Sequence, residues 1–234
     1  MSSDPLEVET SNSLGSQESA PTMGKEVVIQ NEDYSERRLK EKWNEAPLEK
    51  IDKVDFERST LIDLDYESIS IKWVNFDYAF LGGCKFGKIT AEIVNFPGTH
   101  MLGVCFHHSS FNECVFKGAR ILGAGEASLL LNNKMLNCNF DNCVLSNVYI
   151  QDCDFDSSQL RKSIVKNCIL EEVDFSEVNL KGTMFENCKI KNCIWRKANL
   201  SDVHFKSCET DSFRQFDGAK NNHPEDWDLT KLNK

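Results

Sequence analysis

The sequence predicts a repeat fold in which the chain turns a corner every five residues. Two observations predict it. Every fifth residue from Phe56 to Ile121 is large and apolar except Ala91, and the same holds without exception from Phe140 to Phe205. The residue two places earlier is small: Cys138, Cys143, Val148, Cys153, Ser158 and Ser163 open the second array, and only Leu64, Ile69 and Ile89 exceed Val in the first. A helix would carry successive fifth residues around its surface, and a long strand repeats every second residue. A five-residue period therefore needs short sides, each sending two side chains inward.

The elements follow in order. Residues 1–32 read as a disordered tail, because the first 24 are rich in Ser, Thr, Glu and Pro and hold no aromatic residue. Residues 33–50 read as a helical cap, with Asp33 as N-cap and Leu39 and Trp43 four apart on one face. The array occupies 51–210 and is interrupted at 122–137, where Gly123, Gly125 and Leu129-Leu130-Leu131 suggest an irregular coil or a bulging loop. Residues 211–234 form a second cap, with Phe213, Phe216, Trp227 and Leu232 covering the end and Pro224 starting a short helix.

The motif resembles the pentapeptide-repeat family, whose unit is a small residue, Asp or Asn, Leu or Phe, and two variable positions. Val173-Asp174-Phe175-Ser176-Glu177, Val178-Asn179-Leu180-Lys181-Gly182 and Ala198-Asn199-Leu200-Ser201-Asp202 carry the likeness. The resemblance implies an all-β fold, a right-handed quadrilateral β-helix with four repeats per coil and about seven coils. Short helices would cap it. Its Phe- and Cys-rich slots are similar to those of the quinolone-resistance and microcin-immunity members, in the repeat region only. Those members resemble a DNA rod and protect a type II topoisomerase.

Nine of the ten cysteines fall on the small slot: Cys84, Cys114, Cys138, Cys143, Cys153, Cys168, Cys188, Cys193 and Cys208. The slot makes them structural, space-filling thiols. Unpaired thiols in this number favour a reducing, cytoplasmic compartment. Cys105 alone lies off the slot, beside His107 and His108, and no third ligand stands at metal spacing. No P-loop, nucleophile elbow or dinucleotide-binding glycine pattern is present. The expectation is a protein that is not an enzyme, with no catalytic residue, metal or cofactor.

The outward positions must then carry function. Val144, Ile164 and Met184 recur at 20-residue spacing on one side, and Tyr149 and Ile169 on the next, whereas the other sides show Asn139, Gln159, Asn179, Asp154 and Asp174. This apolar stripe is the candidate interface, unless the amino-terminal tail or the 122–137 segment covers it. The net charge is −10, but residues 51–210 hold 21 acidic against 17 basic residues. A nearly balanced rod weighs against a DNA mimic, and the acidic total weighs against direct nucleic-acid binding.

The expected function is a protein-interaction scaffold with an unidentified protein partner. A DNA-mimicking topoisomerase protector and a secreted effector with a disordered amino-terminal signal are the alternatives. A homodimer through a solenoid end or the apolar stripe is a further possibility. No apolar run reaches the roughly 20 residues of a membrane span, and Met1-Ser2-Ser3-Asp4-Pro5 carries no Sec-type signal pattern.

Overall fold

The computed structural model describes residues 27–30, 38–40, 48–124, 129–221, 223 and 226–232. Its chain forms a parallel β-solenoid with four sides, numbered here in chain order. Face 1 is a six-stranded sheet that includes Leu48–Asp52, Ser70–Lys72 and Thr90–Glu92. Face 2 is a ladder of single bridges through Asp55, Asn75, Asn95, Val115, Asn139, Gln159, Asn179 and Asn199. Face 3 is a nine-stranded sheet from Arg38–Lys40 to His204–Lys206. Face 4 is a second nine-stranded sheet, from Asp65–Glu67 to Leu229–Lys231.

The corner explains the period. The residue two places after each large slot has a left-handed backbone: Arg58 at φ 54°, Asp63 at 55°, Ser68 at 60° and Gly83 at 63°. That conformation costs an ordinary L-residue roughly 1–2 kcal/mol. Asn and Gly tolerate it best, and they crowd the position: Asn132, Asn137, Asn142, Asn147, Asn167, Asn187, Gly98, Gly103 and Gly118. Ile93, at φ 53°, is β-branched and least suited to it.

A second device shapes the bridged sides. Side chains of Asp55, Asn75, Asn139 and Asn179 on face 2, and of Asp154 and Asp174 on face 1, accept from the backbone N–H two residues on, at 2.7–3.2 Å. This Asx turn tightens the bend and is the physical reason for Asp or Asn beside the large slot. Faces 3 and 4 lack the turn and run as three-residue strands.

Inside, large slots stack in columns. Phe56, Phe76, Phe96, Phe116 and Phe140 lie ring on ring, with centroids 4.5–5.0 Å apart. Tyr66, Phe86 and Phe106 form a second column at 4.9 and 5.0 Å. Phe155, Phe175 and Trp195 form a third at 5.6 and 4.5 Å. Each fully buried Phe contributes on the order of 1.5–3 kcal/mol. The small slots do more than fill gaps. Thr99 donates to the carbonyl of Phe76 at 2.8 Å, Ser163 to Phe140 at 2.6 Å, Cys188 to Val165 at 3.3 Å and Cys208 to Phe185 at 3.4 Å. Each acceptor is a large-slot carbonyl one coil earlier. Where the slot holds Cys, Ser or Thr rather than Val or Ala, it adds this bond to its small size.

Four expectations need correction. The helical cap assigned to 33–50 contains a strand, Arg38–Lys40, paired with Thr60–Ile62 so that Leu39 meets Leu61 in register. Pairing to an open sheet edge overrides local helix propensity. The tail assigned to 1–32 likewise includes a strand, Val27–Gln30, beside Leu48–Asp52; its first 26 residues lie outside the described residues. The carboxyl-terminal helix is replaced by strand Leu229–Lys231 and a short 3-10 turn, Phe213–Phe216, and Pro224 lies outside the described residues. These end strands extend the solenoid to nine-stranded sheets rather than seven coils. They escape a strict count because Arg38 pairs with Thr60 and Cys208 with Leu229, at spacings other than 20.

The interruption is also narrower than 122–137. Leu130 pairs with Phe106 and Ile150, and Met135 with Phe111, so both occupy ordinary large slots. Register across this coil is Arg120 to Val144, four residues longer than the usual 20. The extra length falls between the strands Arg120–Leu122 and Leu129–Leu131. Asn133 takes the small slot next to it, fully buried, donating to the Phe106 carbonyl at 2.8 Å and accepting from the Ser109 N–H at 3.0 Å.

Replacing Ile93 by Gly should raise stability by about 1 kcal/mol in denaturant unfolding, because it relieves the left-handed corner. Gly123→Ala should do the reverse, by roughly 1–3 kcal/mol, because a Cβ there would sit 1.9 Å from the Asn147 carbonyl oxygen. An unchanged midpoint for either variant would contradict this account of the corners.

Candidate interaction face

The nine small-slot cysteines are all buried, and every cysteine is a free thiol. Cys168, Cys188 and Cys208 stack in one column, where the Cys188 N–H donates to the Cys208 sulfur at 3.4 Å. Burial pushes the thiols of Cys84 and Cys153 up to about 11, and those of Cys143 and Cys193 up to about 12. Thiolates are the reactive form, so these groups are inert at neutral pH. Cys105 lies half-buried on face 4, where burial raises its thiol and Lys85 opposes the rise. The rings of His107 and His108 meet edge to face at 5.7 Å, and among the described residues no three His, Cys, Asp or Glu side chains gather to hold a metal ion.

Val144, Ile164 and Met184 lie on adjacent strands of face 3 in direct register. Tyr149 and Ile169 pair in the same way on face 4. All are half-buried except Ile169, which is exposed. The Tyr149 hydroxyl is held at 2.9 Å by both Gln151 and Glu171. Partial burial, followed by the Glu171 contact, pushes it up to about 12. The pair on face 4 is bounded by Lys189 on the next strand, in register with Ile169.

Face 3 continues where face 4 stops. Seven consecutive strands, from Thr60–Ile62 to Met184–Glu186, each present one large apolar residue outward: Ile62, Phe80, Leu102, Leu122, Val144, Ile164 and Met184. The first four form one column, although Phe80 starts from the other. A Cβ placed on Gly82 would lie 2.9 Å from the Phe80 ring, which leans across that glycine between Ile62 and Leu102. The track changes column once, between Leu122 and Val144, at the coil with the four extra residues. The five-residue frame shows the later stripe, but it hides the earlier half, because Ile62, Leu102 and Leu122 follow the inward residue and Val144, Ile164 and Met184 precede it.

The polar companions of this track are Thr60, His100, Arg120, Ser146, Lys166, Glu186, His204 and Lys206, in which three fixed cations stand against one acid. Glu186 is the lone acid, held by Lys166 at 3.1 Å and Lys206 at 3.4 Å. Those hydrogen bonds keep its carboxyl below the ordinary range. Exposed pairs of this kind add little stability; their main effect is on the sign of the face.

The architecture is thus a parallel β-solenoid that turns every five residues and carries an apolar track along face 3. Residues 133–216 match the family model described as "Pentapeptide repeat region". No curated protein matches the chain. Among solved structures, a trypsin-treated form of QnrB1, a plasmid-mediated fluoroquinolone resistance protein, is similar at 15% identity, over 89% of this chain and 91% of that one, with a TM-score of 0.49. HetL, a pentapeptide repeat protein involved in heterocyst differentiation regulation from the cyanobacterium Nostoc sp. strain PCC 7120, is similar at 13% identity, over 83% and 80%, with a TM-score of 0.48. No helix among the described residues is long and apolar enough to cross a membrane.

The raised thiols set an alkaline limit on stability. Well below pH 9 they are protonated in folded and unfolded chains alike. Between their ordinary value of 9.0 and their folded values of about 11 to 12, only the unfolded chain ionises. Stability present below that window is therefore lost as pH rises through it. The denaturation midpoint should fall across the window, and should fall less in a variant with Ser at Cys84, Cys143, Cys153 and Cys193. Native-state alkylation near neutral pH should modify Cys105 and spare the nine buried thiols.

Proposed function

We propose that this protein is a non-catalytic interaction module that holds a protein partner on face 3. The observation that carries the reading is the apolar track itself, one outward residue on each of seven neighbouring strands. Strand structure alone does not require it. On face 4 the equivalent column is apolar only over Leu129, Tyr149 and Ile169 and is charged at Asp65, Lys85, Lys189 and Glu209, yet its strands pair equally well. A contiguous apolar surface of this length is unusual on a protein that works alone.

Val144, Ile164 and Met184 would supply the contact in the second half, and Ile62, Phe80, Leu102 and Leu122 in the first. Tyr149 and Ile169 would extend it around the corner at Asn147. The sign of the face also bears on the alternatives. A mimic of DNA phosphates would place carboxylates along this surface, where Arg120, Lys166 and Lys206 stand instead.

The test is affinity capture with the full chain and an Ile164→Asp variant of matched thermal stability. Partner recovery should fall at least tenfold in the variant, and should be unchanged by Gln159→Glu on face 2. Equal recovery by Ile164→Asp would sink the reading.

A further inference from the structure

The shape of the face narrows the occupant. Seven strands about 4.8 Å apart give a track of about 29 Å, and its two columns lie about 7 Å apart. Such a strip offers a few hundred square ångströms, well short of the roughly 800 Å² per partner of a stable interface between globular surfaces. A second copy of this chain, docked flat on the same face, would have to find most of its contact elsewhere. A slender occupant would not.

An α-helix is about 10–12 Å across with its side chains, completes a turn every 5.4 Å, and spans about 30 Å in 20 residues. Its apolar stripe advances by nearly the same step as the strands of face 3, so successive turns meet successive apolar residues along the coil axis. The track itself drifts by one column, through the Phe80 ring over Gly82 and then from Leu122 to Val144. A straight helix lying slightly oblique to the axis follows that drift.

Charge fixes the remaining property. The chain as a whole carries −10, yet the outward polar residues of face 3 include Arg120, Lys166 and Lys206 against one Glu186. Lys166 and Lys206 share that single acid, and Arg120 is exposed on the strand beside Val144. An approaching acidic segment would be attracted here.

From these three features we infer that face 3 receives an amphipathic α-helix with acidic flanks, laid along the solenoid axis. The inference rests on the reading of face 3 as the binding face and adds the class of its partner. Leu102, Val144 and Ile164 take the helix's apolar stripe, and Arg120 and Lys166 take its carboxylates.

The experiment is selection of a displayed library of 20-residue peptides, with randomised flanks around an apolar heptad-like stripe, on the full-length protein. Winners should be rich in Glu and Asp on both flanks and should gain helical circular dichroism on binding. They should weaken at least tenfold with Ile164→Asp or Leu102→Asp, and weaken as salt rises. Arg120→Glu should weaken acidic winners several-fold and leave thermal stability unchanged. Winners without acidic bias, winners that bind without helix, or an empty selection would each overturn the inference while leaving the capture result for Ile164→Asp standing. Winners indifferent to both Asp variants would remove the face as well. Because two variants on separate strands are used, misfolding of one does not decide the outcome.

Discussion

At every fifth residue the backbone enters a left-handed conformation, and the rest of the fold depends on that bend. It makes the sides three residues long, which leaves room for one inward side chain at mid-side and one at the corner. It also aligns each side with its counterpart in the next coil, so that N–H and C=O groups bond between coils, as where Phe76 donates to Asn95 and Asn95 to Val74. A chain with ordinary residues at all corners would accumulate strain at each one. Asn, Gly and Asp at these positions, together with Asx turns on faces 1 and 2, lower the strain enough for stacking to prevail.

Stacking then acts in columns. Phe56 to Phe140 form a continuous ring stack because large slots repeat at the coil length. The small slots supply the volume these rings need and send a thiol or hydroxyl back to the preceding coil. This dual demand accounts for cysteine in a protein without disulfides: the side chain is small, tolerates burial, and still donates. Such a solenoid is stabilised mainly by contacts between neighbouring coils, and its outer surface is correspondingly free to vary.

Much of the interior was legible in the sequence, because burial imposes a strict period on Phe56 through Phe205. What was less legible lay where that period does not reach. Leu39 had good helical spacing with Trp43, but an unpaired sheet edge next to Thr60–Ile62 is a stronger determinant than local pattern. Leu130 and Met135 were hidden inside an apparent gap because four extra residues shifted their phase. Asn133 breaks the small-slot rule with a side chain whose polar groups are satisfied only in three dimensions. On the outer surface, Val144, Ile164 and Met184 were readable as a 20-residue recurrence. The preceding half of the face was not, since Phe80 reaches its neighbours only by lying over Gly82.

The coil that is four residues longer has a consequence for how such a rod can change. The strands on either side of the added length, Arg120–Leu122 and Leu129–Leu131, still pair with partners above and below. Ladder bonds run along the axis, so a change of length between two sides leaves them intact. The coil length is therefore free to vary between sides while the columns of Phe and Cys continue, and in this protein the one longer coil lies at the level where the apolar track shifts from one column to the other.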